Sequence, residues 1–251
     1  MIAVELMSRL GNQMFELATA YHLSKKYNQE LGLVESCSSD YVKYPLILDN
    51  RKIVTNTTGF FRIEEAKNQA FVDLSDVGKY ENVVIKGYFQ SDKYFDRQDA
   101  EELFKIPYEI KEKYSYLKDK VCISVRRTDY LKYPSLFISP SLDWYLKCYN
   151  KYFDGKDVVI ASDDINWCKN NFKFNNQEFI ENNDATETMF IKACCKNFIS
   201  PPSTFAWWSA YLSGKDSTVV VPADWVANGL KRKNFNEEDK YVEGWIKMPL
   251  N

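Results

Sequence analysis

Two adjacent arginines, Arg126 and Arg127, close the apolar run Val121-Cys122-Ile123-Ser124-Val125 and lead directly into Thr128, Asp129 and Tyr130. The five residues before them suit a buried strand. An unpaired arginine is costly to bury, so two at a strand's carboxyl end require anions. Asp129 can serve one of them, which leaves the other, or a share of both, for a ligand. A planar guanidinium fork meets phosphate oxygens bidentately, and ligands of open α/β sheets sit at the carboxyl ends of the strands. An internal ion pair and a phosphate site both fit this segment taken alone.

Two further stretches offer complementary chemistry. Ser8-Arg9-Leu10-Gly11-Asn12-Gln13-Met14-Phe15 follows an opening strand at 2–6 and runs into a helical pattern. A loop of this kind exposes backbone N–H groups at a helix start, where anions and sugar hydroxyls are held. It has a single glycine, so it is neither a dinucleotide fingerprint nor a Walker loop, and Asn12 as an ordinary N-cap also fits. Near the other end, Asn197-Phe198-Ile199-Ser200-Pro201-Pro202 reads as a strand and a rigid turn, after which Ser203 and Thr204 open a helix. Their hydroxyls and the free N–H groups make a second anion-accepting corner, or Ser203 simply caps the helix. Trp207 and Trp208 lie inside that helix and read as core.

The elements that must hold these residues alternate regularly in the second half. After the strand at 121–125 come a helix over 141–152, a strand at 157–161, a helix over 163–172, a short strand at 178–180 and a helix over 184–195. A strand at 198–200, a helix over 203–212 and a strand at 218–221 close the pattern. This spacing predicts a parallel sheet with helices on both faces. The first half opens with a strand and a helix over 12–27, then a strand at 30–34, and later a strand at 83–88 and a helix over 92–105. Residues 36–70 carry no assignable pattern. The charged stretch 109–120 reads as a helix bridging two lobes, and the aromatic tail 241–248 as packing back on the first lobe.

Composition narrows the classes. The 251 residues are 45% hydrophobic, enough for one large or two small cores, and 33 Lys and Arg against 35 Asp and Glu leave a net charge of −2. That balance lacks the basic excess of a nucleic-acid binder. With His22 as the single histidine, neither a His-based triad nor a two-His metal site is available. Six cysteines without a C-x-x-C pair read as reduced thiols. Glu5 and Arg9 interrupt the apolar opening well before membrane-spanning length.

In order along the chain, Leu10-Gly11-Asn12-Gln13-Met14-Phe15, Val125-Arg126-Arg127-Thr128-Asp129-Tyr130, Ala161-Ser162-Asp163-Asp164 with Trp167, and Ser203-Thr204-Phe205-Ala206-Trp207-Trp208-Ser209-Ala210-Tyr211-Leu212 resemble glycosyltransferase family 11. These are alpha-1,2-fucosyltransferases that use GDP-fucose. The arginine motif is shared with alpha-1,6- and protein O-fucosyltransferases, whereas the first and last motifs point to family 11. The resemblance implies an α/β fold of GT-B type, two Rossmann-like lobes facing across a cleft. Residues 1–115 would form the acceptor-side lobe, with the tail 223–251 packed back on it, and 116–222 the GDP-fucose-binding lobe.

It also implies an inverting transfer of L-fucose from GDP-β-L-fucose to the 2-hydroxyl of a terminal galactoside, without cofactor or metal. The expected partners are a nucleotide sugar and a glycan acceptor, not nucleic acid. Golgi relatives carry an N-terminal anchor and stem, and with neither in view the expected setting is bacterial and cytoplasmic, with peripheral contact at the inner membrane. Arg126 becomes the pyrophosphate contact with Arg127 beside it. Asn12, Gln13, Asp163, Ser203, Thr204 and Phe205 become donor contacts, and Asp163 pairs with guanine. Asp129 and Asp164 orient their neighbours, and one of the two adjacent aspartates caps the following helix. The family usually has His where Ser124 stands, near the nucleotide. A different GDP-sugar or linkage on the same fold therefore competes, as does a nucleotide-sugar or glycan-binding module without turnover. No residue is identified as the catalytic base: an ion-paired Asp129 is a poor one, and Asn12 and Gln13 cannot take a proton.

Overall fold

The computed structural model describes residues 1–34, 52–181, 184–231 and 233–251. By its contacts the chain divides into a first unit, Met1–Lys105 with Phe235–Val242, and a second, Ile106–Asn234 with Glu243–Asn251.

In the first unit, strands β1 (Ile2–Val4), β2 (Leu31–Val34), β3 (Lys52–Val54), β4 (Phe61–Glu64) and β5 (Val83–Lys86) form one sheet in the order β3-β2-β1-β5-β4. Every pairing is parallel. Strands β1 and β5 are central and covered on both faces, which is why they read as unbroken apolar runs. Strands β3 and β4 are edges with mostly exposed residues, so no apolar pattern announced them within 36–70. The rest of that stretch, up to residue 51, lies outside the described residues. Helix α1 (Leu10–Lys26) follows β1, and α2 (Arg97–Leu103) packs against it. The helix expected over 92–105 is a 3-10 turn, Asp92–Tyr94, followed by α2, because Phe95 and Asp96 are extended between them.

The second unit has six parallel strands, β6 (Val121–Val125), β7 (Val158–Ser162), β8 (Gln177–Phe179), β9 (Asn197–Ile199), β10 (Thr218–Pro222) and β11 (Ile246–Met248). Their order is β11-β10-β9-β6-β7-β8. Helices α3 (Tyr108–Lys113), α4 (Thr128–Lys132), α5 (Leu142–Tyr152), α6 (Ile165–Asn171), α7 (Ala185–Ala193) and α8 (Thr204–Leu212) connect and cover them. The start of α5 is capped by Ser141, whose hydroxyl accepts from Trp144 N–H at 3.2 Å. Trp207 and Trp208 are core, with the Trp207 ring 4.5 Å from Tyr211 and 5.6 Å from Trp245.

Two expectations about organisation are corrected. The stretch 109–120 is no bridging helix: α3 and a 3-10 turn at Ser115–Leu117 belong to the second unit, where α3 lies against α7, and the division falls after Lys105. The tail divides as well. Only Phe235–Val242 joins the first unit, while β11 adds an edge to the second sheet, with Val220 opposite Ile246 and Pro222 opposite Met248. Among the described cysteines Cys122, Cys148, Cys168, Cys194 and Cys195 are free thiols, and Cys37 lies outside the described residues.

Candidate functional site

In the second sheet the chain runs from β6 outward through β7 and β8, then crosses to β9 on the other side of β6. This reversal opens a crevice at the carboxyl ends of β6 and β9, where ligands of open parallel sheets bind. Arg126 and Arg127 are the first residues beyond β6, and the Ser200-Pro201-Pro202 turn is the first beyond β9. Ile123 pairs with Ile199, so Ser124 and Ser200 follow as neighbours. Both hydroxyls are buried without a hydrogen-bond partner among the described residues. A buried polar group left unmatched costs about 1–3 kcal/mol, a cost that a polar ligand atom reaching either hydroxyl would offset. Ser200 was not foreseen in the sequence; its only signal was its place ahead of the proline turn.

Both arginines are held in ion pairs. The Arg126 Nη2 donates to Asp129 Oδ2 at 2.8 Å, and its Nη1 lies 3.2 Å from Asp163 Oδ2. Among the described residues these contacts meet its two terminal nitrogens, and a guanidinium has further N–H groups with which to meet a phosphate. Arg127 donates through Nε to Asp164 Oδ2 at 3.2 Å and lies over Trp167, 3.8 Å from the ring centre. An ion-paired guanidinium held over a ring is rigid, which suits Arg127 to shaping the edge and leaves Arg126, a quarter exposed, as the more available of the two.

The adjacent aspartates have separate duties. Asp164 caps α6, its Oδ1 accepting from Trp167 N–H at 3.2 Å, so it is the capping member of the pair. Asp163 organises the arginine loop. Its Oδ1 accepts from Arg127 N–H at 2.9 Å, and its Oδ2 from Thr128 N–H at 3.1 Å and from the Thr128 hydroxyl, beside Arg126. Three donors crowd Oδ2 and one reaches Oδ1, so Asp163 serves the arginine loop and retains acceptor capacity at Oδ1, the oxygen to which the guanine pairing expected of it would fall.

Across the crevice, Tyr130 donates its hydroxyl to the Pro202 carbonyl at 2.9 Å and stacks on Phe137, 4.7 Å between centroids. This tie joins the arginine loop to the start of α8. Ser203 occupies the N-cap position, yet its hydroxyl does not cap the helix and sits with Tyr130 instead. The first N–H groups of α8 therefore have no side-chain cap, and Thr204 and Phe205 are half-buried at its mouth. Beneath Phe205 lies the fully buried Lys192, its Nζ 4.7 Å from the ring centre. Nothing in the sequence pattern singled out Lys192.

In the first unit the chain runs from β1 outward through β2 and β3, crosses to the far edge at β4 and returns to β5 beside β1, so the direction changes between β1 and β5. Asn12, in the first turn of α1, accepts at Oδ1 from Gln90 Nε2 at 3.0 Å, Gln90 coming from the loop after β5. Helix α1 begins at Leu10 with Arg9 at the N-cap, so Asn12 is not the cap. Gln13 is buried and closes its own loop, donating to the Ser8 carbonyl at 3.0 Å. Glu65 accepts from Tyr88 and Phe89 N–H, each at 2.8 Å, and a Cβ on Gly87 would lie 2.2 Å from the Glu65 Cβ, so only glycine fits there. Burial pushes the Glu65 carboxyl pKa up, and that of Glu16 up to about 9.

His22 pairs with Asp99, 2.7 Å from Nδ1 to Oδ2, and Lys25 shares that carboxylate. With Asp96, His22 and Asp99 form the one grouping of His, Cys, Asp and Glu among the described residues that could hold a cation, and it lies in the first unit. No helix among the described residues is long and apolar enough to cross a membrane.

The profile of glycosyl transferase family 11 matches residues 1–249. The Escherichia coli O-antigen biosynthesis glycosyltransferase WbnK is 27% identical, over 95% of this chain and 97% of its own. An Escherichia coli alpha-1,2-colitosyltransferase is 24% identical over 98% of both. A Caenorhabditis elegans galactoside 2-alpha-L-fucosyltransferase is 23% identical over 100% of this chain and 80% of its own. Among solved structures, POFUT1 in complex with GDP superposes with a TM-score of 0.55 at 11% identity, covering 88% of this chain and 97% of its own. The NodZ alpha-1,6-fucosyltransferase soaked with GDP-fucose gives 0.52 at 13%, covering 84% and 92%. These likenesses show the fold, which is GT-B.

Proposed function

This chain belongs to glycosyltransferase family 11, and we propose that it transfers L-fucose from GDP-β-L-fucose to the 2-hydroxyl of a terminal galactoside with inversion. The observation that carries this reading is the Arg126 fork at the β6/β9 crevice, opposite the uncapped start of α8. As the bond from fucose C1 to the β-phosphate oxygen breaks, its electron pair leaves with GDP and negative charge grows on the pyrophosphate. Fixed N–H donors aimed at that charge stabilise the transition state without reorganising. Asp129 and Asp163 hold the Arg126 plane, Ser203, Thr204 and Phe205 offer the start of α8, and Ser124 and Ser200 receive polar groups of the nucleotide sugar. Asn12, in the first unit, contacts a sugar substrate. The galactoside oxygen bonds C1 from the opposite face and passes its proton to solvent water.

The nucleotide's charge is met by arginine and helix N–H groups, so the reading is metal-independent. The O-antigen relative supports a role in bacterial polysaccharide assembly at the cytoplasmic face of the membrane. A second reading keeps the linkage and changes the donor to GDP-colitose, favoured by the colitosyltransferase relative. Incubation with lactose and each of GDP-fucose, GDP-colitose, GDP-mannose and UDP-galactose, in excess EDTA, separates these possibilities. GDP release from GDP-fucose at an EDTA-insensitive rate is expected. Turnover of GDP-colitose alone selects the second reading. GDP binding without release on any acceptor selects a binding module, and activity lost in EDTA and restored by Mg²⁺ or Mn²⁺ refutes metal independence.

A further inference from the structure

We propose that Lys240, from the returning tail segment, positions Asn12 through Gln90 so that Asn12 presents its amide N–H to an accepting oxygen of a sugar substrate. The inference rests on the proposed transferase activity and adds a positioning residue to it. Lys240 is buried, only 3% exposed, beneath the β1/β5 crevice of the first unit. Its Nζ donates to Gln90 Oε1 at 2.8 Å and to Gln69 Oε1 at 3.0 Å. The Phe235 ring lies 5.0 Å away.

An ammonium group is only a donor, so Gln90 must turn its oxygen toward Lys240. The Gln90 amide nitrogen then faces Asn12 and can only donate, which fixes Asn12 with Oδ1 inward, as the 3.0 Å contact records. The Nδ2 of Asn12, on a half-exposed side chain, is thereby turned outward at the carboxyl edge of the sheet. Burial lowers the Lys240 pKa to about 8 while Glu65 and Asp239 oppose the shift, so the group is charged at neutral pH and the relay holds its sense. The tail segment is anchored independently: Asp239 pairs with Lys93 and accepts from Phe71 N–H at 2.8 Å. Its Asn236 N–H donates to the Asn68 carbonyl at 2.7 Å. Losing Lys240 therefore need not release the tail.

Gln90→Glu inverts the relay without breaking its first link. It keeps an oxygen toward Lys240 but puts a second oxygen toward Asn12, whose amide must rotate and present Oδ1 to the substrate. A lost neutral hydrogen bond predicts a fall in kcat/KM of about tenfold for Gln90→Glu and for Lys240→Met. The fall should appear in the KM of either GDP-fucose or lactose, which identifies the substrate that Asn12 touches, with Tm little changed in Gln90→Glu and lowered by several degrees in Lys240→Met, where two amide oxygens lose their donor. In an Asn12→Ala background neither substitution should have a further effect. Wild-type kcat/KM in both single variants, or losses that add to that of Asn12→Ala, would overturn the relay while leaving the transferase reading intact. Full activity in Asn12→Ala would remove Asn12 from the substrate and overturn the inference together with that part of the proposed site. No transfer by the unmodified protein from any donor would overturn the transferase reading itself.

Discussion

Arg126→Lys is expected to lower kcat by about 10²-fold or more, with a smaller loss of GDP affinity. Lysine keeps the charge but not the fork. One ammonium cannot span Asp129 and Asp163, 2.8 and 3.2 Å from separate guanidinium nitrogens, and still meet two phosphate oxygens. Charge on those oxygens is greatest as the glycosidic bond breaks, so kcat falls more than binding. The stability cost should be about 1 kcal/mol or less, since the group is a quarter exposed and solvent screens its pairs. A purely structural role predicts the reverse, a lowered Tm with activity per folded molecule nearly unchanged. Measuring kcat and Tm on one preparation decides between them.

The second large effect concerns stability. Glu16 is fully buried in α1, with Oε2 accepting from Met7 N–H at 2.7 Å and Oε1 unmatched among the described residues. Burial raises its pKa to about 9, with the nearby Glu65 adding to the shift, so the folded protein carries this carboxyl protonated at neutral pH. The unfolded chain loses that proton above about pH 4.5. The contribution is therefore fully present below about pH 4.5 and is lost as pH rises toward 9. Glu16→Gln keeps shape and the Met7 acceptor while removing the titration. It should match the parent near pH 4.5 and exceed it in stability by on the order of 2–4 kcal/mol at pH 8. Denaturant midpoints across that range test this; a variant destabilised equally at every pH would show that Glu16 is ionised in the folded state.

The parts legible in the sequence are those whose chemistry is local. Strand β6 announced itself because all five residues are buried and apolar or small, and the arginines after it needed anions wherever the chain went. The sequence could say that one of Asp163 and Asp164 caps a helix but not which one. That depends on the turn after β7, which points Asp164 at Trp167 N–H and Asp163 across to β6's loop. Edge strands β3 and β4 escaped because exposed strands have no core-facing alternation to read. The tail's division escaped because Lys240 and Ile246 lie close in sequence but serve different units. The same distance hid Lys240, whose partner Gln90 lies 150 residues away. Such a contact leaves no local pattern.

The central claim is an inverting transfer of fucose to a 2-hydroxyl. NMR of the product formed from GDP-β-L-fucose and lactose tests it most directly, since anomeric configuration and linkage are read in one spectrum. The account predicts an α-linked fucosyl residue on the galactose O2. A β-anomer would contradict inversion, and attachment at any other oxygen would contradict the proposed linkage.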